Sequence, residues 1–479
     1  MQINEDVISK IVNNVVARLN SAPETEPVSD SACVRDGACE SGIFTDIDDA
    51  VAAAKIAQVE FAGLTLAHRT EIIASIREKC TENIETFSRM AVDEVGIGRY
   101  EDKLKKNKLA IDKTPGTEAL EPVTWTGDYG LTLTERAPYG VIASIPPCTN
   151  PTETIISNVI GMVAGGNSVV INSHPSAKNV SAYNIGVINA AIVEAGGPEN
   201  LVTAVKVPTI ASAQALMKHP DVRLLVVTGG PAVVKAAMNS GKKVIAGGPG
   251  NPPVVVDETA DIKQAARDIV AGASFDNNVV CVLEKEIIAV DSIVDELKVE
   301  MKHCGAYEIT DIQARSLAKL IVSADPDDGH LVVNKNFVGK DAKVILNEVG
   351  VIVGDDIKLI IAETDKDHPF VRAELLMPVI PVVRVKDADE GIALAKEVEH
   401  GNCHTFVMHS KNIDNLSKMA RVCDASIFVK NAPSYAGLGF EAEGYTSFTI
   451  ASPTGEGLTC TRHFTRERRC SLVGHFRIT

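Results

Sequence analysis

Residues 274–285 read SFDNNVVCVLEK, with a single cysteine, Cys281, three positions after an asparagine pair and inside an otherwise apolar patch. A thiol so placed either fills a core or, as thiolate, attacks an electrophilic carbon. A second stretch, ASIPPCTNPTETIISNVIGMVAGGNSVVI (143–171), runs from a strand through a proline-rich turn into a helix and on to another strand. In it Asn150, followed by Pro151 and by Glu153, has the pattern of a helix N-cap. An amide at a strand end can instead donate a hydrogen bond to an oxyanion. Cys148, two residues earlier, reads as a small apolar filler. In VVTGGPAVVKAAM (226–238), Thr228, Gly229 and Gly230 lie between a buried strand and a helix. The free N–H groups and dipole of such a helix start can hold a pyrophosphate, and Thr228 as an ordinary N-cap explains the pattern equally. No G-x-G-x-x-G follows a predicted strand, so a dinucleotide would bind in a different way from the usual Rossmann turn.

These residues need a large, ordered body to hold them. The chain has 479 residues, 45% of them hydrophobic, enough to bury a core of two or more domains. A net charge of −16 argues against nucleic-acid binding, which needs a basic field. The one basic cluster, RHFTRERR (462–469), reads as a solvated or subunit-contacting strand, with an anionic cofactor tail as the other reading. None of the 10 cysteines has a spacing that would hold zinc, so no metal site is expected. The start MQINED has no secretory pattern and no stretch is apolar enough to span a bilayer, so a cytoplasmic chain with free thiols is expected.

From about residue 42, helical patterns such as DIDDAVAAAKIAQ and TLAHRTEIIASIREKC alternate with short β-branched runs. Strands are predicted at 140–145, 168–172, 224–228, 253–257, 286–290, 358–363 and 426–430, the signature of α/β architecture with parallel sheets. Ahead of them, residues 3–19 place apolar side chains from Ile3 to Leu19 on one helical face, and a Pro-, Ser- and acid-rich linker follows. Such a helix either folds back onto the body or docks on another protein.

The ordered series TNP, GNSVV, VTGG, GNPPVVVDETAD, a Cys after NN, a Glu before LLMPV, and SPTGEG resembles the aldehyde dehydrogenase superfamily. It is most similar to the coenzyme A-acylating acetaldehyde and propionaldehyde dehydrogenases of ethanolamine- and propanediol-utilisation microcompartments. The likeness extends from about Gly42 to the C-terminus, and PTETII and PSYAG lean toward the propionaldehyde members.

The resemblance implies an NAD-dependent, reversible oxidation of a short-chain aldehyde to its acyl-CoA through a cysteine thioester. Cys281 is then the nucleophile, and Asn150 with the Cys281 N–H forms the oxyanion hole. Thr228, Gly229 and Gly230 face the pyrophosphate, Glu374 the nicotinamide ribose, and Ser173 and His174 the adenosine end, although the SHP spacing departs from the commoner Lys-Pro form. Hydrolytic members carry Glu-Leu-Gly-Gly-Lys-x-Pro, whose Glu activates water; here Ala246 stands in its place, favouring coenzyme A as acyl acceptor. Glu441-Ala442 replaces the usual Gly-Gly. The implied fold has a targeting helix at 1–20, a linker at 21–41, a Rossmann-like cofactor-binding domain at 42–245 with a β oligomerisation arm near 116–139, and an α/β catalytic domain at 246–430. A return segment at 431–479 ends in a strand expected to pair between subunits of a homodimer or homotetramer. Shell proteins, bound through residues 1–20, would hold the enzyme in a microcompartment lumen. A hydrolytic aldehyde dehydrogenase and a catalytically inactive shell-associated protein are the alternatives.

Overall fold

The computed structural model describes residues 41–325 and 331–479. The expected targeting helix and all but the last residue of the linker lie outside the described residues. Every strand read from the sequence is present, within two residues at either end.

Two parallel sheets organise the molecule. The first has six strands in the order 43–44, 202–205, 168–171, 141–145, 222–228, 243–247. The second has seven, in the order 306–308, 359–363, 379–385, 286–290, 253–256, 405–409, 427–430. Strands such as Val141–Ile145, Ser168–Ile171, Pro253–Val256 and Glu286–Val290 are buried at every position. This is what a parallel sheet covered on both faces requires, and it explains their continuous apolar runs. The helix Pro151–Ala164 is buried on all sides. Its polar side chains must therefore find partners, and several of them do so at the site described below.

The strands Val123–Gly127 and Gly130–Pro138 form a hairpin, and Thr465–Val473 pairs with the second of them over nine residues of the same chain. The C-terminal strand, expected to pair between subunits, thus spends one edge on its own arm, and its outer edge has no strand beside it among the described residues. Arg466, Arg468 and Arg469 of the basic cluster are exposed on this strand, and Arg469 lies over the Trp125 ring, 5.4 Å from its centroid.

Asn167 ties these parts together. Its Oδ1 accepts from the N–H groups of Tyr139 (2.7 Å) and Gly140 (3.1 Å), while Nδ2 donates to the carbonyls of Met162 (2.9 Å) and Phe464 (3.0 Å). The start of a central strand, the end of the buried helix and the root of the arm are thereby held by one buried side chain. Asn167→Ala leaves these backbone groups without their partners, and we expect a loss of about 2–4 kcal/mol. A thermal midpoint within a degree of the parent would refute this.

Candidate active site

The sequence-predicted residues gather at two sheet edges. Asn150 and Ser173-His174 follow the strands 141–145 and 168–171, and Thr228 ends the strand 222–228, all at the C-terminal edge of the six-stranded sheet. The chain steps outward from 141–145 on one side and returns on the other at 222–228, so Asn150 and Thr228–Gly230 flank a topological switch point, where open α/β sheets bind ligands. Gly250, Cys281, Glu374 and His404 precede the strands 253–256, 286–290, 379–385 and 405–409, all at the N-terminal edge of the seven-stranded sheet.

Cys281 follows an unusual turn. Asp276, Asn277 and Asn278 take successive left-handed φ values of 46°, 53° and 65°. A run of such residues is costly for L-amino acids, and Asn and Asp tolerate it best. Each is pinned by its side chain. Asp276 Oδ1 accepts from the Arg99 N–H (2.7 Å), and its Oδ2 pairs with Lys106 (2.5 Å) and Lys103 (3.0 Å). Asn277 Nδ2 donates to Gly339 O and Asp341 Oδ1, both at 2.9 Å. Asn278 Nδ2 donates to Ala273 O (2.8 Å) and Glu284 O (3.0 Å), while Lys285 Nζ donates to Asn278 O (3.0 Å) and Oδ1 (2.5 Å).

Burial, and then the neighbouring Glu374 carboxylate, push the Cys281 thiol up to about 12, against the pull of Lys285 and Lys106. Burial likewise pushes Glu374 up to about 7, opposed by Lys285 and by the Gly250 N–H at 3.4 Å. Burial lowers the Lys285 ammonium. His404 is held neutral, down to about 4, by burial and then by Lys285. Its Nδ1 meets Thr405 Oγ1 at 2.8 Å, and its buried Nε2 has no hydrogen-bond partner. A Cβ on Gly250 would stand 2.7 Å from the Cys281 carbonyl oxygen and 3.1 Å from His404 Cγ, so only glycine lets these groups close in.

Asn150 departs from the N-cap reading. It occupies the cap position, but its side chain makes no cap hydrogen bond. Oδ1 accepts from Lys106 Nζ at 2.5 Å, and Nδ2 donates to Thr149 Oγ1 at 3.2 Å. Glu153 likewise pairs with Lys106, at 3.2 Å. The N-cap of Pro231–Met238 is Gly230, and Thr228 does not cap it. The Thr228 hydroxyl instead meets Thr449 Oγ1 (2.8 Å), which reaches Asn158 Oδ1 (3.0 Å) on the buried helix. Ser173 is buried, while His174 is exposed and its Nδ1 accepts from Ser176 N at 3.1 Å. Cys148 packs with Ala91, Ala177 and Val180, as a filler should. Glu441 adopts φ 51°, a conformation that suits glycine, and Lys113 Nζ holds that loop through Gly439 O and Ala442 O, both at 2.6 Å.

Beside Lys106 lies a narrow cavity lined by Leu109, Phe275, Val280, Leu283, Tyr435, Leu438, Phe440 and Phe448. The rings of Phe275, Tyr435 and Phe440 stand 5.1–5.6 Å apart. Sequence reading passed over Lys106, Lys285 and His404. The one available signal was Asp-Asn-Asn itself, three residues that tolerate left-handed backbone in a row.

A half-buried thiol and a neutral imidazole at the edge of one sheet, tied through Lys106 to an amide at the switch point of the other, are the groups a cysteine-dependent oxidoreductase would use. The chain belongs to the aldehyde dehydrogenase family, whose model matches residues 37–445. It is 49% identical over 488 residues to an acetylating acetaldehyde dehydrogenase of Bilophila wadsworthia, covering 100% of both chains. It is also similar to a propionaldehyde dehydrogenase from the Clostridium phytofermentans fucose-utilisation bacterial microcompartment (TM-score 0.89, 47% identity, covering 92% of this chain and 100% of that one). The Rhodopseudomonas palustris propionaldehyde dehydrogenase, solved with bound propionyl-CoA, matches with TM-score 0.88 and 49% identity over 95% of this chain and 99% of that one.

Because Glu374 opposes ionisation of the thiol and Lys285 favours it, the two have opposite effects on thiol reactivity. Alkylation of Cys281 by iodoacetamide should still be rising with pH above 9. Glu374→Gln should shift that profile to lower pH, and Lys285→Gln should shift it to higher pH. Shifts of the same sign in both variants would refute this electrostatic assignment.

Proposed function

We propose that this enzyme oxidises a short-chain aldehyde, acetaldehyde or propionaldehyde, to its acyl-CoA, with Cys281 as nucleophile, and that it runs the reverse reaction as well. The reading rests on one pairing: a neutral His404 beside Cys281, and a methyl group at Ala246 where hydrolytic relatives carry a glutamate. The acetylating and propionyl-CoA-bound relatives support the same chemistry.

The Cys281 sulfur adds to the aldehyde carbonyl, and the Asn150 amide with the Cys281 N–H donates to the resulting alkoxide, an arrangement worth about 3 kcal/mol per donor. NAD is the hydride acceptor this site would hold. Thr228–Gly230 suits its pyrophosphate, since at Gly230 a side chain would meet nothing within 4 Å at the start of the helix Pro231–Met238. Glu374 is the candidate partner for the nicotinamide ribose, and Ser173 and His174 are candidates for the adenosine end. The carbon left on sulfur is a thioester. With Nδ1–H donated to Thr405, His404 Nε2 offers a lone pair to the coenzyme A thiol, whose sulfur then displaces Cys281. Ala246 is buried in the strand Lys243–Gly247 and can take no proton, so water remains a poor acceptor.

Cys281→Ala should abolish oxidation while NAD still binds, and Cys148→Ala should keep most activity. Without coenzyme A the enzyme should release about one equivalent of NADH per site and stall. Sustained NADH production with free acid as product would sink the acyl-transfer reading. His404→Gln should keep that first equivalent but lose steady turnover; loss of the burst itself would remove His404 from the second half-reaction.

Residues 1–20 serve, in this reading, as a docking helix for shell proteins of a microcompartment, the setting of the Clostridium relative. The exposed outer edge of Thr465–Val473 supports a homodimer or homotetramer joined through the arm. A chain beginning at Gly42 should keep kcat and KM within about twofold, since the catalytic groups lie beyond it, yet fail to co-purify with shells. Unfolding or inactivity of that shortened chain would place the helix in the body of the enzyme instead.

A further inference from the structure

Lys106 is the side chain that joins the Asn150 amide itself to the Cys281 turn. It rises from the helix Tyr100–Lys113, is 2% exposed, and brings its ammonium to Asn150 Oδ1 (2.5 Å), Asp276 Oδ2 (2.5 Å) and Glu153 Oε1 (3.2 Å). Asn150 closes the C-terminal edge of one sheet, and Asp276 opens the left-handed turn that leads to Cys281 on the other.

An ammonium has three donors and no acceptor. At 2.5 Å it can face only the oxygen of the Asn150 amide, because the opposite flip would set donor against donor. The flip is therefore fixed by charge. One N–H of Nδ2 goes to Thr149 Oγ1, and the other has no protein acceptor among the described residues. The same ammonium binds a carboxylate whose backbone is strained, so it sets the distance between the amide and the nucleophile turn as well as the orientation of the amide. Lys103, paired with Asp276 at 3.0 Å, donates to Thr149 O at 2.6 Å and braces the same corner without touching the amide.

We propose that Lys106 is a positioning residue for catalysis: wedged between Asn150, Asp276 and Glu153, it holds the Asn150 amide with its NH2 edge toward the reacting carbonyl and in register with the Cys281 turn. The proposal rests on the assignment of Asn150 as oxyanion donor. A residue that acts through Asn150 matters only while Asn150 is present, whereas a residue that merely supports the fold matters equally without it.

The test is a double-mutant cycle on the single-turnover NADH burst rate of the full-length enzyme, with the parent, Lys106→Met, Asn150→Ala and the double variant. Asn150→Ala should slow the burst by about 100-fold and Lys106→Met by about 10- to 100-fold, with KM for the aldehyde changed far less than kcat. In the Asn150→Ala background Lys106→Met should cost no more than about twofold further. Lys106→Arg keeps the charge in a different geometry, with partial loss expected beside Asn150 and none beside Ala at that position. The cycle is read with this variant if Lys106→Met does not fold. Equal fold-losses in both backgrounds would overturn the proposal and leave Asn150 as oxyanion donor. A parent-like burst in Asn150→Ala alone would overturn the oxyanion assignment and the proposal together.

Discussion

The arrangement depends on a buried charge cluster in which Lys103 and Lys106 share the Asp276 carboxylate and Lys106 also holds Glu153. Burial alone would drive Asp276 and the two lysines toward their neutral forms. Mutual pairing holds Asp276 well below the usual carboxylate range, against its own desolvation, and raises Lys106 above the usual ammonium range. Such a cluster is a weak source of net stability, because desolvation offsets most of its Coulombic gain. Its effect is geometric: it fastens a turn of three left-handed residues that would otherwise relax, and it does so from the helix that also orients Asn150. Taking away one partner would leave a charge buried alone, so the cluster keeps its arrangement as a unit.

Charge around Cys281 follows the same logic. A thiol beside Glu374 in a buried site stays protonated at rest, which protects it from stray oxidation and alkylation. Lys285 sits where it can stabilise the thiolate once formed, and it adds to the burial that keeps His404 neutral. The imidazole therefore retains its lone pair across the ordinary pH range. Glycine at 250 leaves the space that His404 and the Cys281 carbonyl fill.

Much was legible in the sequence because it is local. Continuous β-branched runs announced buried parallel strands, Pro151 marked a helix start, and Cys281 stood out after its Asn pair. The helix-cap readings of Asn150 and Thr228 failed for a common reason: both side chains are claimed by partners distant in sequence, Lys106 and Thr449. A local pattern supplies the default partner, and tertiary contacts replace it wherever a stronger donor or a better-placed hydroxyl is available.

By itself the sequence determined the elements, their parallel character and the candidate nucleophile, since these follow from side-chain periodicity and from motifs a few residues long. Only the tertiary structure decided which groups surround that nucleophile. Lys106, Glu374 and His404 lie 175, 93 and 123 residues from Cys281 along the chain, and no spacing rule connects them. They meet because two sheets present opposite edges to one site, and because burial there makes each charge act on the others through a medium that screens poorly.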